Sequence, residues 1–291
     1  MPESYRGVED HGRLIVQGAD RPGIVSSVSG ALAESGANIV SLDQHSSDPF
    51  GGRFFQRTVF HLPELSSRLG ELSGRLEPRL SEELELGWRL VEATRPKRVA
   101  IFVSKADHCL LDLLWRQRRS ELAMDVSMVV SNHLDLQGEV TQFGIPFFHV
   151  PVARHDKAAA EKEQLNLLAG NVDLVVLARY MQVLSPDFLD EVGVPIINIH
   201  HSFLPAFMGP RPYHQAKERG VKLIGATAHY VTEELDQGPI IEQDVIRVSH
   251  ADSVQDLQLR GADVERLVLS RAVAWHCDDR VIRDGNTTVV L

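Results

Sequence analysis

Val194–His201 reads VPIINIHH, an apolar run broken by Asn198 and closed by His200 and His201. Such a run, apolar toward both faces and short, is the pattern of a strand buried inside a parallel sheet. Working back from it, the sequence alternates. A short helix is expected over Pro186 to Glu191, a strand over Asp173–Leu177 (DLVVL), a helix over Lys157–Ala169 and a short strand over Phe147–Val150. Further back come a strand over Met124–Ser131, a helix over Leu110–Arg119 and a strand over Arg98–Val103 (RVAIFV). Regular β/α alternation with doubly apolar strands predicts a mostly parallel sheet covered by helices.

Upstream, Glu92-Ala93-Thr94-Arg95-Pro96-Lys97 is polar and marked by proline, and it is read as a linker. Residues 1–95 then form one domain and 96–291 a second. In the first, Arg13–Gly18 (RLIVQG) is a strand, Asp20–Gly23 (DRPG) a turn, and Ile24, Val28, Ala31 and Leu32 mark a helix ending at Gly36. Asn38–Asp43 and Phe54–Leu62 follow as strands, Leu65–Leu80 as a helix and Leu84–Val91 as a last strand. The order is βαββαβ, one sheet with two helices on a face.

Composition narrows the function. The 291 residues are 43% hydrophobic and 24% charged, an ordinary globular balance. A formal charge of -10 offers no basic field for a phosphate backbone, so nucleic acid is not an expected partner. Cys109 and Cys277 are far apart and give neither a disulfide framework nor a zinc set. The spacing of His200, His201, His214, His229 and Asp236 fits no standard ligand pattern, so no metal is expected. With no apolar signal core near Glu3–Arg13 and no long apolar span, the expectation is a cytoplasmic protein with no membrane partner. Trp88, Trp115 and Trp275 are scattered and read as packing residues.

Asn198 and His200 are two apart, so on a strand they share a side. At the carboxyl end of a parallel strand, where open α/β sheets place their sites, an amide donor suits a developing oxyanion and an imidazole suits proton movement. A capped strand end with satisfied polar groups would look the same. Asp236, in Val231–Ile241 (VTEELDQGPII), reads locally as a turn residue before Gly238-Pro239.

Together, Asn198-Ile199-His200, Ser202–Pro205 and Val231–Ile241 resemble the formyltransferase family that handles 10-formyltetrahydrofolate, over about residue 97 to the C-terminus. The resemblance implies a Rossmann-like catalytic domain with Asn198, His200 and Asp236 as its triad. It implies a folate pocket along Tyr180, Met181, Gln182, Val183 and Leu184, bordered by Val231, Thr232 and Glu233. The relatives that formylate glycinamide ribonucleotide have a glycine-rich phosphate loop after the first strand and a proline after the histidine. Here Ser104–Leu110 (SKADHCL) and His201 stand there, followed by Gly209–Gln215 (GPRPYHQ), which resembles the formyltetrahydrofolate deformylases. Without a backbone anion cradle for a nucleotide acceptor, water is the natural acceptor. Pro210 departs from the small residue expected at its place, and Lys105 and Arg211 are either attractors for a folate's glutamate tail or simply solvated.

Asp20–Val25 (DRPGIV) and Gly36–Ile39 (GANI) resemble an ACT domain, the ferredoxin-like amino-acid sensor. This implies an amino-acid effector at Asp20, Gly23, Ile24, Gly36 and Asn38, or a purely oligomerising surface, and in either case a homo-oligomer. The implied reaction is hydrolysis of a folate-borne formyl group with no cofactor. Formyl transfer to an amine, and a silent amino-acid and folate sensor, are the alternatives. Whether His200 or Asp236 takes the proton of water stays open.

Overall fold

The computed structural model describes residues 9–48, 50–153, 156–205 and 212–291. These form two compact units. The first runs up to Pro96 and also contains Asp278–Asp284 and Val289–Leu291; the second comprises Lys97–Cys277 and Gly285–Thr288.

In the first unit, β1 (His11–Ala19), α1 (Ile24–Glu34), β2 (Asn38–Ser46), β3 (Arg53–His61), α2 (Leu65–Glu77) and β4 (Gly87–Glu92) give the expected order. The sheet is antiparallel in the order β2-β3-β1-β4. Gly23, at φ 97, turns the chain into α1, whose Ile24, Val28, Ala31 and Leu32 form one buried stripe. That stripe meets Leu14, Val16, Phe54 and Phe60 of the sheet and Leu65, Leu72 and Leu76 of α2. The sequence continues α2 to Leu80; instead a π-helical turn, Pro78–Glu83, begins where proline removes an N–H donor.

The other face of this sheet is covered as well, by residues of Asp278–Asp284 and Val289–Leu291. Ile15 and Phe55 are buried with Ile282, alongside Val91, Val289 and Leu291. Arg13 and Arg89 donate to the Asp279 carboxylate at 3.2 and 2.6 Å, and the Arg57 guanidinium donates twice to the Asp278 carbonyl at 3.1 and 3.0 Å. This second burial explains why β3 is buried along nearly its whole length, Gln56, Arg57 and Thr58 included, instead of alternating.

The second unit contains β5 (Lys97–Val103), α3 (His108–Arg118), β6 (Met124–Ser131), α4 (Gln137–Thr141), β7 (Phe147–His149), α5 (Lys157–Leu168), β8 (Leu174–Leu177) and α6 (Pro186–Glu191). It continues through β9 (Ile196–His200), α7 (Pro212–Glu218), β10 (Leu223–Tyr230), β11 (Ile240–Arg247) and α8 (Val254–Cys277). Beyond it lie β12 (Val281–Asp284) and β13 (Thr287–Val290), which form a two-stranded sheet. The large sheet has the order β11-β10-β9-β8-β5-β6-β7. From β7 to β9 neighbours are parallel, whereas β9, β10 and β11 are antiparallel, so the sheet is mixed but mostly parallel. The chain leaves β5 toward β6 and later returns on its other side through β8. That reversal opens a crevice at the carboxyl ends of β5, β8 and β9, the usual ligand position in open α/β sheets. Among the described residues no helix is long and apolar enough to cross a membrane.

Candidate active site

β9 delivers Asn198 and His200 to that crevice. Across the antiparallel ladder, Asn198 faces His229 and His200 faces Thr227. The Thr227 hydroxyl donates to the Ser202 carbonyl and accepts from Leu204 N–H and Gln243 Nε2, which fixes the chain as it leaves β9.

Asp236 arrives from the β10–β11 connection. Its φ of 57 is left-handed, a region that Asp tolerates better than most side chains. The loop closes on itself where Tyr230 N–H donates to the Pro239 carbonyl at 2.9 Å. Gly238 permits this closure: a Cβ there would lie 1.8 Å from the Tyr230 carbonyl oxygen. The resulting contacts are short. His200 Nδ1 lies 3.2 Å from Asp236 Oδ2, and His229 Nε2 lies 3.6 Å from Asp236 Oδ1. Asn198 Nδ2 is 3.3 Å from His229 Nε2, and His229 Nδ1 donates to the Tyr230 carbonyl at 2.9 Å. His229 Nε2 therefore stands between the Asn198 amide and the Asp236 carboxylate and holds both at the cavity wall.

His200 is 6% exposed, and its Nε2 has no hydrogen-bond partner among the described residues. Hydrogen bonds from His200 and then His229 hold the Asp236 carboxyl well below the usual carboxylate range, against the opposing effect of burial. His201 stacks on His200 with ring centroids 5.2 Å apart. Burial, followed by the nearby Arg179 charge, pushes the His201 imidazole down to about 4, so it is neutral at physiological pH.

These groups line a cavity of about 480 Å³ together with Tyr180, Met181, Gln182, Val183, Leu184, Val231, Thr232 and Glu233. The segment 180–184 divides its work. Met181 and Val183 are 59% and 58% exposed and present apolar surface, while the Tyr180 and Leu184 side chains belong to the core. The Tyr180 ring packs edge-on against Phe102, and its hydroxyl accepts from Gln164 Nε2 at 2.9 Å. Glu161 holds the far end of the segment, accepting from both Ser185 N–H and Ser185 Oγ. His229 was not singled out with the triad from sequence, because its position opposite Asn198 depends on a strand register that spacing alone does not reveal. Lys105 does not line the cavity and lies 3.9 Å from Asp135. Gly209, Pro210 and Arg211 lie outside the described residues.

In the first unit, Asp20, Gly23 and Ile24 line a separate cavity of about 510 Å³, with Arg21, Ser26 and Gln44 in its wall. Gly36 and Asn38 are not part of it. Gly36, at φ 80, follows the C-terminus of α1, and Asn38 opens β2 opposite His61. The Ile24 side chain is buried in the core, so at the cavity it presents backbone.

Residues 97–273 match the formyl transferase family and residues 12–69 the ACT domain. The chain is 61% identical over 281 residues to a formyltetrahydrofolate deformylase of Mycobacterium tuberculosis, covering 97% of this chain and 91% of that one. A crystal structure of a formyltetrahydrofolate deformylase from Pseudomonas syringae superposes with a TM-score of 0.91 at 47% identity, over 97% of this chain and 94% of that one. A glycinamide ribonucleotide transformylase from Symbiobacterium toebii reaches a TM-score of 0.63 at 30% identity, over 67% of this chain and 94% of that one. Both domains and the whole length are thus accounted for together by one group of relatives, and the chain belongs to the formyltetrahydrofolate deformylase family.

Proposed function

We propose that this chain hydrolyses 10-formyltetrahydrofolate to formate and tetrahydrofolate, with the second unit catalysing and the first regulating. The observation that carries the reading is the meeting of Asn198, His200 and Asp236 around one cavity, in a chain whose full-length relatives are named for this activity.

The formyl group is an amide, so water must reach its carbon while negative charge grows on oxygen and N10 departs with a proton. The amide of Asn198 meets that oxygen; deleting a comparable donor elsewhere costs about 2.7–4 kcal/mol. A carboxylate held as low as Asp236 is a poor base near neutral pH, so it does not itself take the proton. His200 does: with Nδ1 donating to Asp236, its Nε2 lone pair receives the proton of water and returns it to N10. Asp236 balances the imidazolium formed between these steps. Met181 and Val183 supply apolar surface for the pterin, and Thr232 and Glu233 border it. The scheme uses no metal and no cofactor. Incubation with 10-formyltetrahydrofolate and no amine should release formate; appearance of formyl product only when glycinamide ribonucleotide or another amine is added would replace hydrolysis by transfer.

The first unit takes a small amino acid in the cavity at Asp20, Gly23 and Ile24, where the first N–H groups of α1 suit an α-carboxylate and Asp20 an α-ammonium. Glycine and methionine are the first to test, by formate release across an amino-acid panel. An unresponsive enzyme would leave the unit a purely oligomerising module. The exposed edge strand β2, carrying Val40 and Leu42, supports a homo-oligomer; light scattering of Val40→Lys should show loss of the larger species.

A further inference from the structure

Beside the triad lies a second group of buried charges that the scheme above leaves unused. Arg179 follows β8 with a φ of 63, left-handed and unusual for a long side chain. Its backbone is fixed from the end of β5: Ser104 N–H donates to the Arg179 carbonyl at 3.3 Å, and Met181 N–H donates to Ser104 Oγ at 3.0 Å. The side chain is only 17% exposed and lines the same cavity as Asn198, His200 and Asp236.

Behind the guanidinium stands Glu265 of α8, 2% exposed, with Oε2 3.5 Å from Arg179 Nε. Both Glu265 oxygens have other partners. Oε1 accepts from the Tyr213 hydroxyl at 2.7 Å, and Oε2 lies 2.8 Å from His108 Nε2. The Tyr213 ring reaches Glu265 across Gly261, where a Cβ would fall 2.0 Å from the phenol oxygen. Glu265 therefore balances the charge of Arg179 without filling its donors. Arg179 Nε and Nη1 are buried and make no hydrogen bond among the described residues. Those two donors have no accessible surface and Nε is turned to Glu265, so the cavity meets the rest of the guanidinium, which leaves the side chain 17% exposed: a cation beside Asn198 and His200 with room for an anion.

We propose that Arg179 is the docking point for formate, the anion that leaves the reaction. The inference rests on the deformylase reading, since that reaction supplies the ligand. In it the C–N10 bond breaks, a C–O bond to water forms, N10 keeps one proton, and the formic acid gives up its own to become a planar anion with two acceptor oxygens. A planar guanidinium matches such a group in shape and charge. The Glu265 carboxylate beside Arg179 and the Asp236 carboxylate on the same cavity set the valence: one negative charge is tolerated at Arg179, whereas a dianion is repelled.

The test uses the full chain, without folate, titrated with ¹³C-formate and followed by NMR line broadening. Saturable broadening is expected for the native chain, a dissociation constant at least tenfold weaker for Arg179→Gln, and a several-fold weaker one for Arg179→Lys, which keeps the charge but not the fork. Sulfate at matched ionic strength should not displace the formate. No binding to the native chain, equal binding to Arg179→Gln with native circular dichroism, or displacement by sulfate at equal concentration would each overturn the proposal. Should Arg179→Gln not fold, native-like affinity in Arg179→Lys overturns it equally. Formate release from 10-formyltetrahydrofolate is scored separately, so its failure sinks the deformylase reading without touching the titration.

Discussion

Asp236 and Asp279 are nearly the same object placed in two settings. Each sits in left-handed backbone, at φ 57 and 55, and each presents its two oxygens to two basic side chains. The partners differ. Asp279 meets Arg13 and Arg89, whose protons do not leave, and its side chain is fully buried. Asp236 meets His200 and His229, whose protons can move, and it is 15% exposed on a cavity of about 480 Å³. A fully buried carboxylate with arginine partners is a fastener. With histidine partners and room for a ligand, the same group can direct proton transfer.

The same substitution at both positions breaks or sustains that contrast. Asp279→Asn leaves the Arg13 side chain buried beside a neutral amide, and breaking such a pair costs about 3–5 kcal/mol. The expected outcome is an unfolding transition of the first unit at clearly lower urea, with turnover per folded molecule retained. An unchanged urea profile would show that the clamp contributes no net stability. Asp236→Asn should do the opposite: kcat lower by about 10² or more, folate binding nearly unchanged, and a much smaller change in unfolding. Turnover close to native would return Asp236 to the role of a turn residue.

The contrast also shows what spacing can and cannot reveal. The βαββαβ order, the β/α alternation and the strand ending in Asn198 and His200 are legible because they rest on local periodicity and turn chemistry. Tyr180 to Leu184 and Val231 to Glu233 are legible only through resemblance, since their role lies in facing one cavity rather than in any local pattern. Asp279 is not legible at all: its partners Arg13 and Arg89 are 266 and 190 residues away, and the linker at 92–97 gives no hint that the chain returns. Gly36 and Asn38 show what a shared resemblance does not place. They share a motif with Gly23, yet the helix α1 between them carries them away from the cavity at Asp20.

Titration separates the two types of buried group further. His201 is held neutral by burial, its imidazole lowered to about 4 from an ordinary value near 6.5. The unfolded chain takes up a proton below about pH 6.5 that the fold refuses until about pH 4, so stability should fall across that window by at most about 1.4 kcal/mol per pH unit from this residue. His201→Asn should flatten the decline. Asp236 acts lower: the stability of its ionised form is present above the usual carboxylate range and is lost as pH falls beneath it. A decline that starts only below about pH 4 and ignores the His201 substitution would remove His201 from the account.

The smallest effect is expected where a buried polar pair carries no charge. Tyr180 sits at the head of the cavity segment, its hydroxyl accepting from Gln164 Nε2 inside the core, and burial pushes the phenol up to about 12. Tyr180→Phe keeps the ring packed on Phe102 but orphans the Gln164 amide, a loss of about 1 kcal/mol for a neutral bond. Because Met181 and Val183 hang on the same backbone, the loosened segment should raise KM for the folate a few-fold while leaving kcat unchanged, since no proton-moving group is touched. A fall in kcat with KM intact would instead place Tyr180 among the groups that act on the reacting atoms, and would blur the division between fastener and proton director that the two aspartates draw.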